Sequence, residues 1–166
     1  MTDPTLRPND PLIVGWAHTK FGKSEAPDTQ ALMAEVAGPA LAYAGVTAGK
    51  VDGIFVGVWN NGFSRQDFQG ALVAMGTPEL AGVPFLRTEN ACATGSAALY
   101  AAADFIASRR GRVALVIGAG PAGLTAATYL GRFLRRVLVA DGGEQAALAD
   151  QRLQQLVLHG IGVLVL

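Results

Sequence analysis

Glu89-Asn90-Ala91-Cys92-Ala93-Thr94-Gly95-Ser96 leads into a long apolar stretch, and Val113-Ala114-Leu115-Val116-Ile117-Gly118-Ala119-Gly120-Pro121-Ala122-Gly123 follows it. The first segment reads as a tight turn running into a helix over 96–109, with Gly111 ending it. That helix is apolar nearly all round, so it is expected to be buried. The second segment reads as a strand over 113–117, a glycine-rich turn, and a helix over 121–134 with Pro121 in its first turn, where a missing N–H does little harm. Helix, strand and helix joined by short connections argue for an α/β protein with a parallel sheet covered on both faces.

Working outward, 12–16 is a short apolar run expected to form a strand. A loop over 21–27 follows, and Asp28 is placed to cap a helix through Leu32, Val36 and Leu41. Pro39 lies inside that pattern and is expected to kink or restart it. Gly45 stands where a glycine ends a helix in the left-handed conformation. The run 51–58 reads as a strand in which Gly53 and Gly57 imply close backbone approach. A loop over 60–65, a helix over 66–75 and an extended segment over 84–88 lead back to Cys92. Beyond the glycine-rich turn come a strand over 137–140, a helix over 144–158 closed by Gly160, and a strand over 161–166. A chain stopping inside a buried-looking strand reads as a truncation. The expected organisation is a loose leader over 1–11, a first segment over 12–112 and a second over 113–166.

The chain has 166 residues, of which 51% are hydrophobic and 16% charged, which favours a filled core over disorder. Thirteen basic and 13 acidic residues give a formal net charge of zero. No basic stripe of the kind a nucleic-acid binder needs is present. The clusters Arg109, Arg110, Arg112 and Arg132, Arg135, Arg136 read as cations at helix C-termini on a solvated face, with an anion contact as the sharper alternative. A single cysteine rules out an internal disulfide and fits a reducing compartment. The polar first 11 residues lack a signal-peptide core, and no apolar run is long enough to span a bilayer. A cytoplasmic protein without a membrane partner is expected, and no metal site is read from the sequence.

Cys92 sits among small neighbours just ahead of a long helix. Helix amides and the dipole favour a thiolate there, which would make the sulfur a nucleophile for acyl transfer. The competing reading is a small buried apolar residue, a common fate of a lone cysteine. The motif around Cys92, extended by Ala97-Ala98-Leu99, joins three further segments. These are Val14-Gly15-Trp16-Ala17-His18-Thr19-Lys20-Phe21-Gly22-Lys23, the helix ending at Ala44-Gly45, and Val51-Asp52-Gly53-Ile54. Together they resemble the N-terminal half of a thiolase of the sterol-carrier-protein type, over about residues 11–118. The resemblance implies that Cys92 takes an acyl group from acyl-CoA and passes it to a CoA-bound carbanion or to free CoA. It also implies a homodimer, with the region 60–75 near the subunit contact. The family uses histidines and a second acid/base, commonly a cysteine, in its C-terminal half. This chain has only His18 and His159, neither in such a motif, and no second cysteine. His18 reads as a strand-end packing or surface residue, and His159 as a helix C-terminal one.

Gly118-Ala119-Gly120-Pro121-Ala122-Gly123 after a strand, with Asp141 about twenty residues on, is G-x-G-x-x-G in the context that dinucleotide binding requires. Gly118 would permit the tight turn, Gly120 the approach of a pyrophosphate, and Gly123 close helix–strand packing. Asp141 would accept from a ribose hydroxyl. A turn that binds nothing is the alternative. The stretch 113–144, with Asp141-Gly142-Gly143-Glu144, resembles the FAD-binding start of thioredoxin-reductase-like flavoproteins, implying FAD or NAD(P) as cofactor. The expected fold class is therefore α/β, thiolase-like N-terminal layers running into a Rossmann-like βαβαβ unit with a mostly parallel sheet. Three functional readings follow: a truncated or fused thiolase-like acyltransferase acting on acyl-CoA, an FAD/NAD(P)-binding oxidoreductase fragment, and a non-catalytic hybrid of the two.

Overall fold

A computed structural model describes residues 10–19, 25–58, 66–119 and 162–165. The described elements are strand β1 (Gly15–His18), helix α1 (Thr29–Tyr43), strand β2 (Gly53–Val58) and helix α2 (Gln69–Gly76). Strand β3 (Phe85–Thr88), helix α3 (Thr94–Ala107), strand β4 (Ala114–Ala119) and strand β5 (Gly162–Val165) follow. The strands form one sheet in the order β1-β5-β4-β2-β3.

Strand β2 is buried along its whole length and pairs in parallel with β3 on one side and β4 on the other. Alternation of side chains about the strand axis assigns its residues to two cores. Ile54, Val56 and Val58 join Leu115 and Ile117 of β4 on the face covered by α1 and α2, with Met33, Val36, Leu41, Leu72 and Val73. Phe55 joins Ala114 and Val116 on the opposite face, covered by Ala98, Leu99 and Ala102 of α3. Helices thus cover both faces of a largely apolar parallel core, as near-continuous apolar strands require.

Local chemistry fixes both ends of α1. The Asp28 carboxylate accepts from the Ala31 N–H at 2.8 Å. At the other end Gly45 adopts φ 65°, Val46 N–H donates to Leu41 C=O at 3.0 Å, and Gly45 N–H donates to Ala42 C=O at 3.1 Å. This pair of bonds is the Schellman arrangement, with Val46 packed on the core beside it. Helix α1 runs unbroken through Pro39, which therefore does not restart it.

Other expectations need correction. Strand β1 begins at Gly15 rather than at residue 12, because its partners are the residues of β5. Strand β5 is antiparallel to both β4 and β1, so it does not continue a parallel βαβαβ unit. Helix α3 is buried along one face only, and Tyr100 is 60% exposed. Its alanines made it look apolar all round without giving it bulk on every side. It ends at Ala107, where Arg109 takes the left-handed conformation at φ 59° and Arg110 N–H reaches back to Phe105 C=O at 3.1 Å. Gly111 instead lets the chain pass close to the Phe105 ring and Asp52. The helices expected over 121–134 and 144–158, the strand over 137–140, and His159 lie outside the described residues. No helix among the described residues is long and apolar enough to cross a membrane.

Candidate active site

The segment between β3 and α3 carries Cys92. Chain direction changes there over very few residues. Asn90 is at φ −153° and ψ 53°, and Ala91 follows at φ 44°, in the left-handed region that a residue with a Cβ rarely occupies. A 3-10 turn over Ala91–Ala93 then delivers the backbone to α3, so Cys92 stands in the turn that immediately precedes the helix. Left-handed residues without glycine's freedom cost of order 1–2 kcal/mol. They persist where surrounding bonds over-determine them.

Those bonds come from Thr94, the first residue of α3 and only 1% exposed. Its hydroxyl accepts from the Asn90 N–H at 2.8 Å and donates to the Ala91 C=O at 2.8 Å. The Ala93 N–H donates to Asn90 C=O at 2.8 Å. Both peptide groups flanking the strained residue are thereby fixed. Beneath the turn lies Gly57 of β2, where an added Cβ would stand 3.0 Å from Thr94 C=O and 3.1 Å from Thr94 Cγ2. The glycine expected to allow close approach does so, and what approaches is the start of α3.

The N-cap residue of α3 is Ala93, which offers no side-chain acceptor to the first-turn amides. Those N–H groups and the helix dipole make the Cys92 turn a region favourable to negative charge. Ahead of it, Arg87 of β3 bonds Glu89 at 3.0 Å and lies 3.7 Å from Asp67. These partly exposed pairs tie the end of β3 to the entry of α2 at small energetic worth.

His18 closes β1, exposed, its ring stacked on Trp16 at 5.7 Å and its Nδ1 2.8 Å from the Thr19 carbonyl oxygen. It pairs with Gly162, whose neighbour Val163 pairs with Ile117, while Gly118 pairs with Gly57. His18 and Gly57 thus share a row of the sheet three strand spacings apart, about 14 Å. Direct proton exchange between His18 and the turn above Gly57 is out of reach.

The glycine fingerprint is not assembled as expected. Gly118 does not make a turn: β4 continues through Ala119, and Gly118 sits inside the ladder opposite Gly57. Gly120, Gly123 and Asp141 lie outside the described residues.

The pattern of the thiolase N-terminal domain matches residues 12–154. The chain belongs to the thiolase family. An acetyl-CoA acetyltransferase of Methanocaldococcus jannaschii is 35% identical to this thiolase-family chain over 113 residues, covering 66% of it and 28% of the relative. Among solved structures, OleA of Xanthomonas campestris superposes with a TM-score of 0.60 at 14% identity, over 93% of this chain and 55% of that one. A priming β-ketosynthase of a polyketide pathway gives 0.58 at 20% identity, over 98% and 52%. At such identities the structures report the fold alone. This thiolase-family chain spans between about a quarter and just over half of the proteins it resembles here. The family match runs across the whole glycine fingerprint, and none of these proteins is a flavin or nicotinamide oxidoreductase. The dinucleotide-binding reading is left without support.

Two contributors were missed in the sequence. Thr94 carried a readable signal, a hydroxyl residue at a helix start. Ala91 carried none, since alanine has no preference for the left-handed region.

Proposed function

We propose that this chain supplies the acyl-accepting portion of a thiolase-type acyltransferase, with Cys92 as nucleophile and an acyl-CoA thioester as substrate. The observation that carries the reading is Cys92 in a strained, hydroxyl-pinned turn directly ahead of α3, within the thiolase-matched stretch. Strained backbone held by its surroundings is characteristic of reacting groups. Acylation needs the sulfur as thiolate. It adds to the thioester carbonyl, the bond from that carbonyl to the sulfur of CoA breaks, and CoA leaves as a thiolate that takes a proton from water. The product is an acyl-Cys92 thioester. Transfer onward to a second CoA-bound acceptor, or back to free CoA, is the family's continuation of this chemistry.

The decisive experiment is incubation with acetyl-CoA followed by intact mass and peptide mapping. The expected result is one acetyl group on Cys92, absent in Cys92→Ala. No adduct on a folded protein would overturn the reading.

A homodimer is part of the same proposal. Among the described residues β3 pairs only with β2, leaving its outer backbone edge open. Phe85 and Leu86 of β3 and Met75 of α2 are exposed beside it. A second copy is the occupant proposed for that edge.

A further inference from the structure

We propose that Thr94 is a positioning residue for Cys92, and that its hydroxyl, not its bulk, sets the reactivity of the thiol. The inference rests on the acyl-transfer reading of Cys92 and goes beyond it by assigning a role to a residue two positions away. Thr94 is buried, and its hydroxyl is both acceptor and donor within the Cys92 turn, toward the Asn90 N–H and the Ala91 C=O at 2.8 Å each. These two bonds bracket the pair Asn90-Ala91, one at the peptide before Asn90 and one at the peptide after Ala91, the residue at φ 44°. A hydroxyl can do this because it carries one donor and two lone pairs, whereas the isosteric valine carries neither. Without the pair, the left-handed conformation of Ala91 loses its support and the turn is free to relax toward ordinary backbone. Cys92 would then move relative to the first-turn amides of α3, whose stabilisation of negative charge falls off within a turn of the helix. Contact with β2 adds a second constraint. The Thr94 methyl and carbonyl rest over Gly57, so the hydroxyl bonds orient a helix start already pressed on the sheet.

The chain has one cysteine, so alkylation by iodoacetamide reads a single group. The test measures alkylation rate against pH for the full chain as wild type, Thr94→Val and Thr94→Ser, with circular dichroism to establish folding. Acyl transfer from acetyl-CoA is measured in parallel. Thr94→Val is expected to slow alkylation at neutral pH about tenfold and move the midpoint of the profile upward, the scale expected for losing a buried hydrogen bond pair. Thr94→Ser is expected to keep the wild-type profile. A wild-type profile in Thr94→Val overturns the proposal. So does an equal slowing in Thr94→Ser, which would mean that the methyl group matters. Should Thr94→Val not fold, Gly57→Ala decides in its place, because it displaces Thr94 from the opposite side. Slowed alkylation is then expected, and an unchanged profile is the overturning result. A wild type that alkylates as expected yet takes no acetyl group sinks the acyl-transfer reading and leaves the positioning of the thiol standing.

Discussion

Two glycines of similar appearance in the sequence should respond differently to the same substitution, because their surroundings differ. Gly57 faces backbone: a Cβ there would stand 3.0 Å from Thr94 C=O, and a carbonyl in a helix start cannot swing away as a side-chain tip can. Gly57→Ala is expected to destabilise the fold by about 1–2 kcal/mol, the range for overpacking. Gly38 lies on the exposed face of α1 with nothing within 4 Å of an added Cβ. Gly38→Ala is expected to change stability by less than about 0.5 kcal/mol, because the gain in helix propensity is offset by the crowding of a Cβ against the following Pro39 in helical backbone. Urea denaturation of both variants checks the pair, and a cost at Gly57 no larger than that at Gly38 would mean that α3 does not press on β2 at Gly57. The close approach at Gly57 was readable from a glycine inside a strand. The identity of its neighbour was not, since that depends on a contact between β2 and a helix beginning 37 positions later.

Elements whose ends are set by neighbouring residues were the ones foreseeable from sequence. Helix α1 is bounded by Asp28 and Gly45, each acting within a few residues, and both act as their chemistry dictates. Helix α3 shows where such reasoning stops. A search for a terminating glycine lands on Gly111, but the left-handed position is filled by Arg109, whose neighbour Arg110 lies over the Phe105 ring at 5.9 Å. Arg109→Gly is therefore expected to raise stability by about 1 kcal/mol, by removing the cost of a Cβ at φ 59°. Thermal denaturation reads it, and a lower midpoint would mean that Arg109 side-chain contacts outweigh the backbone cost. Asp52 joins the starts of two strands: its carboxylate accepts from Arg112 N–H at 2.8 Å and Val113 N–H at 3.1 Å. Asp52→Ala is expected to cost about 1–2 kcal/mol, limited by solvent exposure of the carboxylate. A change within a few tenths of a kcal/mol would show that the backbone pairing of β2 with β4 holds that corner without it. The direction of β5 was beyond reach for a different reason. Four apolar residues pair equally well either way, and only the strands flanking them in space decide.

At the scale of the whole molecule, the strand order among the described residues leaves β1 and β3 at the margins of the sheet, and the two margins are not alike. Strand β3 carries Phe85 and Leu86, 46% and 48% exposed, beside an outer backbone edge that is unpaired among the described residues. An edge that is both apolar and unpaired invites another strand. Phe85 is anchored at its inner side, since its ring lies directly against the backbone of Gly70 in α2. Leu86, its neighbour on the strand, is 48% exposed and belongs to neither core cluster. A two-fold axis beside β3 would pair the strand with its own copy antiparallel, satisfying both edges at once through one self-complementary surface. Leu86→Lys places a charge on that edge without disturbing the core clusters, of which Leu86 is not a member. Sedimentation equilibrium is expected to give a dimer mass for the wild type and a monomer mass for Leu86→Lys, with unchanged circular dichroism. Wild-type monomer at high concentration would remove β3 as the subunit contact. A dimer that survives Leu86→Lys would move the contact to another face of the molecule.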